Sequence, residues 1–231
     1  MNQFDSEEPE KTLSERAYRA IREDIVSGAL VPSQKLKIDM LRQRYGLNAG
    51  PLREALSRLA GDNLVEVLGQ RGFAVAPIYP RDAEEIGDLR KMLEAEALGR
   101  SIPRGDSAWE ERLIAAYHRL SRQEVKRDQG IEELAVWEQR NFEFHEATVA
   151  ACDSLWLLRV RQQLFRQHER YRRFSRIMSV TTRAIHDEHE ALFEACIARD
   201  VGCAQEVIAS HIQRTTDAVT SALETNGQRQ S

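Results

Sequence analysis

"LNAGPLREALSRLAGDNLV", residues 47–65, decides how the first part of this chain folds. Leu52, Ala55, Leu56 and Leu59 fall on one stripe at helical spacing, while Arg53 and Arg58 lie off it. Asn48 is a good N-cap, and Pro51 is tolerated because it still lies in the first turn. The stretch therefore predicts a short amphipathic helix. It starts on the small residues Ala49 and Gly50 and turns two guanidinium groups outward.

Upstream, "TLSERAYRAIREDIV" predicts another helix. Thr12 and Glu15 fit a capping box, and Leu13, Ala17, Ile21 and Ile25 repeat along one face. Gly28 ends it, and Pro32 keeps the chain extended. A second helix is expected over Ile38–Tyr45, closed by Gly46. Downstream, Val65 and Val67 alternate with polar positions, as do Phe73 and Val75, and residues 69–72 supply a turn between them. Three helices and a two-stranded hairpin form the pattern of a winged helix-turn-helix.

"APIYPRD" reads as a linker, and beyond it the pattern is helical almost to the end. Six helices are expected, at about 82–101, 106–128, 131–152, 154–178, 182–199 and 201–225. The fold class is mainly α: an N-terminal winged helix-turn-helix followed by an all-α antiparallel helical bundle with short connections. The predicted organisation is a disordered tail at 1–11, a DNA-binding domain at 12–78, a linker at 79–85, the bundle at 86–225 and a second tail at 226–231.

Charge is distributed unevenly. Residues 1–11 carry one Lys against four acids, residues 12–78 ten Lys/Arg against seven, and residues 79–231 twenty-two against twenty-six, for a net −4 overall. A basic segment on an acidic body points to a polyanionic partner for the first part only. Apolar residues make up 42% of the chain, enough for a packed core, and no run is long and apolar enough to span a membrane. Residues 1–11 are acidic and lack the apolar stretch of a signal peptide. Cys152, Cys196 and Cys203 are odd in number and lack C-x-x-C spacing, so they read as buried free thiols of a cytoplasmic protein.

A winged helix places its third helix in the major groove of double-stranded DNA. The helix N-terminus suits a phosphate, because its backbone N–H groups point outward. Asn48, Ala49 and Gly50 allow close approach, and Arg53 can reach guanine or a phosphate. Arg58 suits a phosphate, and Arg71 with Gly72 forms a hairpin tip that can touch the minor groove or backbone.

The bundle contains six histidines. Asn141 and His145 are four apart and share one helix face. His189 and His211 each lie roughly 16 Å along the axis from the turn near residue 200, so an antiparallel hairpin brings them level. Three imidazoles and one amide oxygen can thus converge on Zn²⁺, Ni²⁺ or Mn²⁺. His118, His168 and His186 read as hydrogen-bonded core or surface residues, and "RQHERYRRFSR" as a solvated or interface face.

"RYGLNAGPLREALSRLAGDNLVEVLGQRGFAVAP" resembles the DNA-binding domain of the GntR family of bacterial transcription regulators. Residues 51–56, "PLREAL", and Arg71-Gly72 carry the match. Many members have Ser-Arg-Thr where this chain has Asn48-Ala49-Gly50, which shifts expected readout toward Arg53 and the backbone. The body resembles the FCD ligand-sensing domain of the FadR subfamily, in its smaller six-helix VanR-like group. The matches are residues 89–94, "LRKMLE", 141–145, "NFEFH", 188–195, "EHEALFEA", and His211-Ile212. The resemblance implies a ligand-responsive regulator, by family default a repressor. It implies a homodimer, a small organic acid effector, a divalent metal and a role for Arg90 in effector binding. Asn141 stands where Asp is usual, so metal affinity is expected to be lower. Two other readings remain open. One is a metal-dependent hydrolase, although no H-E-x-x-H helix or evident general base is present, and the other is a protein-interaction module.

Overall fold

The structure, a computed structural model, describes residues 12–124, 131–178 and 185–227. The tail expected at 1–11, and residues 228–231 of the tail expected at 226–231, lie outside the described residues. The chain divides into two compact units, Met1–Ile78 and Tyr79–Ser231.

In the first unit, α1 (Leu13–Val26), α2 (Ile38–Tyr45) and α3 (Ala49–Gly61) enclose a small core. The Thr12 hydroxyl accepts from the Glu15 N–H at 3.2 Å and so caps α1. The α1 stripe of Ala17, Ile21 and Ile25 meets Leu52, Ala55, Leu56 and Leu59 of α3, all buried. Gly46 closes α2 in the left-handed region at φ 66°, where its N–H bonds the Arg42 carbonyl. That turn redirects the chain into α3 within three residues.

The sheet has three strands rather than the expected two. β1 (Lys35–Leu36), β2 (Val65–Val67) and β3 (Phe73–Val75) pair antiparallel in the order β1-β3-β2. Leu36 pairs with Phe73, and Val65 with Val75. A two-residue strand is too short to show alternation, so β1 exists only through its pairing with β3. The wing turn holds Gly69 at φ 60° and Gly72 at φ 93°, a conformation open to glycine at little cost.

The second unit consists of α4 (Pro80–Ser101), α5 (Ser107–Glu124), α6 (Ile131–Thr148), α7 (Leu155–Met178), α8 (Ile185–Ile197) and α9 (Val201–Gly227). Residues 80–85, expected as linker, are the first turns of α4, because Pro80 sits at the helix start where a missing N–H costs nothing. Residues 226 and 227, expected as tail, belong to α9. Cross-helix pairs reveal antiparallel packing. Arg90 and Glu94 of α4 meet His168 and Arg161 of α7, and Lys91 and the Ala95 carbonyl meet Gln213 and Gln205 of α9. Leu98, Trp109, Leu113, Leu120, Phe144, Leu192, Ile208 and Ile212 form the apolar core. Cys152 and Cys196 are buried free thiols, whereas Cys203 is exposed at the polar start of α9, against expectation.

α4 reverses the usual pattern. Its buried stripe is Ala83, Gly87, Arg90, Glu94, Ala97, Leu98 and Ser101, while Leu89 and Met92 face outward. At Gly87 the helix approaches α9 so closely that a Cβ would lie 2.4 Å from Thr216 Oγ1 and 3.2 Å from its Cγ2. Gly87→Ala is expected to destabilise the protein by about 1–3 kcal/mol, as overpacking does in a buried contact. Urea unfolding followed by circular dichroism measures it.

Candidate functional site

The first unit offers a polar surface at the start of α3. Asn48 and Gly50 are exposed, Ala49 is half-buried, and Arg53 stands outward one turn in. Asn48 occupies the N-cap in extended conformation with no side-chain capping bond, so the first N–H groups of α3 remain available to an anion. Arg71 is exposed at the wing turn beside half-buried Gly72. Among the described residues, no ion pair holds Arg53 or Arg71. Arg58 differs: its guanidinium bonds Glu15 at 3.0 Å and covers the Tyr18 ring at 4.3 Å. Expected as a phosphate contact, Arg58 also ties α3 to α1 while its side chain stays exposed. Ser14 and Glu54 join the same helices at 2.6 Å. Arg42 and Gln43 of α2 line a concavity with Asn48, and neither entered the reading of the sequence.

In the second unit, His145 from α6, His189 from α8 and His211 from α9 converge, with ligand atoms within 4.8 Å of one another. Their ring centroids are 4.9 to 5.4 Å apart. Asn141 lies one turn before His145 and is 2% exposed, with its Oδ1 lacking a hydrogen-bond partner. His145 Nδ1 and His189 Nε2 are likewise buried without a partner. Unpaired buried polar atoms are costly, and a cation among the imidazoles would supply the partner the histidines lack. Burial above all, then the neighbouring His189 and His211, pushes the His145 pKa well below the ordinary histidine value. The neutral imidazole that results is the form that ligates metal.

Beside the histidines lies a network of buried charge. Arg161 is fully buried, donates to Glu94 Oε2 at 2.6 Å and to the His145 carbonyl at 2.9 Å, and also binds Glu146. Arg90, 2% exposed, donates to His168 Nδ1 at 2.6 Å and Glu94 Oε1 at 3.2 Å, with its guanidinium 4.7 Å from the Phe165 ring. Burial lowers the Arg90 pKa to about 10, so it remains cationic at neutral pH. Phe165 also lies 5.6 Å from His145, so one ring separates Arg90 from the histidine cluster.

One expectation is overturned here. "RQHERYRRFSR" is not a solvated face: His168, Arg170, Arg172 and Arg173 are buried, and Arg172 pairs with Glu138. His168 is, as expected, a hydrogen-bonded core histidine, and its Nδ1 accepts from Arg90. An i, i+3, i+4 spacing among the residues of that run was the only local signal that α7 turns cations inward. A groove of about 460 Å³ between α8 and α9, lined by Glu188, Ser210 and Arg214 among others, reaches His211 from the surface.

Comparison with known proteins gives two family matches. The family described as bacterial regulatory proteins, gntR family, covers residues 13–75, and the FCD domain covers residues 85–214. The chain is 39% identical over 211 residues to the HTH-type transcriptional regulator BphR of Paraburkholderia xenovorans (strain LB400), spanning 90% of this chain and 86% of that one. It is 36% identical over 213 residues to the HTH-type transcriptional repressor GlaR of Escherichia coli (strain K12), spanning 90% and 96%. The solved structure of E. coli McbR/YncC shares the fold with a TM-score of 0.73 at 21% identity, over 90% of this chain and 97% of that one. These relatives are transcription regulators rather than enzymes, so the hydrolase alternative does not hold.

Arg161→Met is expected to cost about 3–5 kcal/mol, because it strands Glu94 in the interior without its closest cation. Chemical denaturation in the presence of chelator measures the loss independently of any metal.

Proposed function

The chain belongs to the gntR family of bacterial regulatory proteins and carries an FCD domain, and from that premise we propose how this DNA-binding transcription regulator is controlled. It is a repressor of genes for the catabolism of a small organic acid, released from its operator when that acid binds in the bundle. Residues 12–78 read DNA, and residues 86–225 bind effector and hold a homodimer together. Repression is supported by likeness to a relative named as a repressor.

In this reading α3 enters the major groove, with Asn48, Ala49 and Gly50 against phosphate and Arg53 at a base edge. Arg71 and Gly72 place the wing on the backbone or in the minor groove. Asn141, His145, His189 and His211 hold one divalent ion of the Zn²⁺, Ni²⁺ or Mn²⁺ type. When bound, that ion supplies a Lewis-acidic positive charge able to anchor a carboxylate. Arg90 favours the same anion from across Phe165. The single observation that carries the sensing half is the convergence of three imidazoles, with the buried, unpartnered Asn141 oxygen one helical turn before the first of them.

Dimerisation is supported by the outward apolar residues Leu89 and Met92 of α4 and Trp156 and Val160 of α7. The effector changes DNA affinity only by binding one arrangement of the dimer better than another. No described helix is long and apolar enough to cross a membrane, which agrees with a cytoplasmic regulator.

Arg53→Ala is expected to lower affinity for a genomic fragment selected by the wild-type protein by about tenfold or more, the loss of one base or phosphate contact. Fluorescence anisotropy at fixed salt reads it, and unchanged affinity removes Arg53 from the interface. Wild-type protein dialysed against Zn²⁺ should retain about one ion per chain by mass spectrometry of the metal, His145→Ala should retain none, and Asn141→Asp should bind more tightly by restoring an anionic ligand. A wild-type protein that binds no divalent ion overturns the metal part of the proposal.

A further inference from the structure

The proposed ligand set is neutral: three imidazoles and one amide. A divalent ion held only by neutral groups in a buried site lacks the countercharge that offsets its desolvation. The structure holds two carboxylates one hydrogen bond further out. Glu124, at the end of α5 and 4% exposed, accepts from His189 Nδ1 at 2.7 Å. Glu188, on α8 and 9% exposed, accepts from His211 Nδ1 at 2.8 Å.

Resting on the reading of this cluster as a metal site, we propose that Glu124 and Glu188 are its positioning residues and supply the charge that Asn141 withdraws. Each carboxylate fixes the imidazole proton on Nδ1 and directs the Nε2 lone pair toward the ion. His189 Nε2, buried and without a hydrogen-bond partner, is oriented in this way. The two supports interlock. Glu188 and His189 are consecutive on α8, so one residue braces the ligand of α9 while the next is itself braced from α5.

Each carboxylate has a second anchor that holds it in place. Glu124 also receives the indole N–H of Trp137 at 3.2 Å and contacts His186 Nδ1 at 3.2 Å. Glu188 also receives Arg214 at 3.1 Å. The ligands therefore stand on a frame that joins α5, α6, α8 and α9. The anionic charge is displaced outward from the position where a ligating aspartate would place it.

The test is Zn²⁺ affinity of the full-length protein, measured by competition with a chromophoric chelator, in E124Q and E188Q, with the melting temperature of each metal-free variant taken in parallel. Glutamine keeps the shape and removes the charge. Each variant is expected to bind Zn²⁺ about 10–100-fold more weakly than wild type. Adding N141D to E188Q is expected to restore part of that loss. E188Q, at the rim of the site, keeps the test available if E124Q does not fold.

Wild-type affinity in both soluble variants, or in E188Q alone if E124Q does not fold, overturns the inference while leaving the metal site standing. So does a lowered metal-free melting temperature with unchanged Zn²⁺ affinity, which assigns the carboxylates to the fold alone. Failure of the wild type itself to bind Zn²⁺, Ni²⁺ or Mn²⁺ overturns the metal reading and the inference together.

Discussion

Arg161 sits where the bundle can least tolerate an unpaired charge. It is fully buried, and its guanidinium is shared among Glu94 of α4, Glu146 of α6 and the carbonyl of His145. A guanidinium offers five donors in a fixed plane, so satisfying it fixes the positions of the groups around it. Three helices are thereby held in register about one cation. The carbonyl it binds belongs to a residue of the candidate metal cluster. The geometry of the histidines thus depends on an ion-pair network outside the cluster.

The same network explains how α4 is built. Its inward stripe carries Arg90 and Glu94, which form an i, i+4 pair and then reach His168 and Arg161 of α7. Gly87 lets α9 close on this helix, and the Thr216 hydroxyl lies 3.5 Å from His168 Nε2. With its Nδ1 accepting from Arg90, His168 carries its proton on Nε2, directed toward that hydroxyl. A line of polar contacts therefore runs from α4 through α7 to α9. Charge inside and apolar residues outside leave Leu89 and Met92 on the face that the proposed partner subunit would cover.

The winged unit uses its arginines in two ways that the sequence does not separate. Arg53 and Arg58 both lie on the polar side of α3 and carry the same charge. The fold distinguishes them by what stands opposite: Glu15 and Tyr18 of α1 take Arg58, and Arg53 faces outward. The short strand β1 and the concavity formed by Arg42, Gln43 and Asn48 also emerged only once α2, α3 and the wing were in place.

Local pattern alone determined a large part of this protein. Apolar spacing at 3.6 residues placed α1, α2 and α3, glycines at residues 46, 69 and 72 marked their turns, and the levels of His189 and His211 followed from their equal distances to one bend. These features are set by neighbours within a few residues, so a short window contains their cause. Tertiary structure alone decided which charges are buried. The polar run at the end of α7 reads as a surface, yet Arg170, Arg172 and Arg173 lie inside, and Glu94, one of the partners of Arg161, is 67 residues away in the chain. Burying a guanidinium is favourable only when acceptors meet it; Arg90 finds Glu94 one turn away, but the acceptors of Arg161 and Arg172 come from other helices, outside any local window.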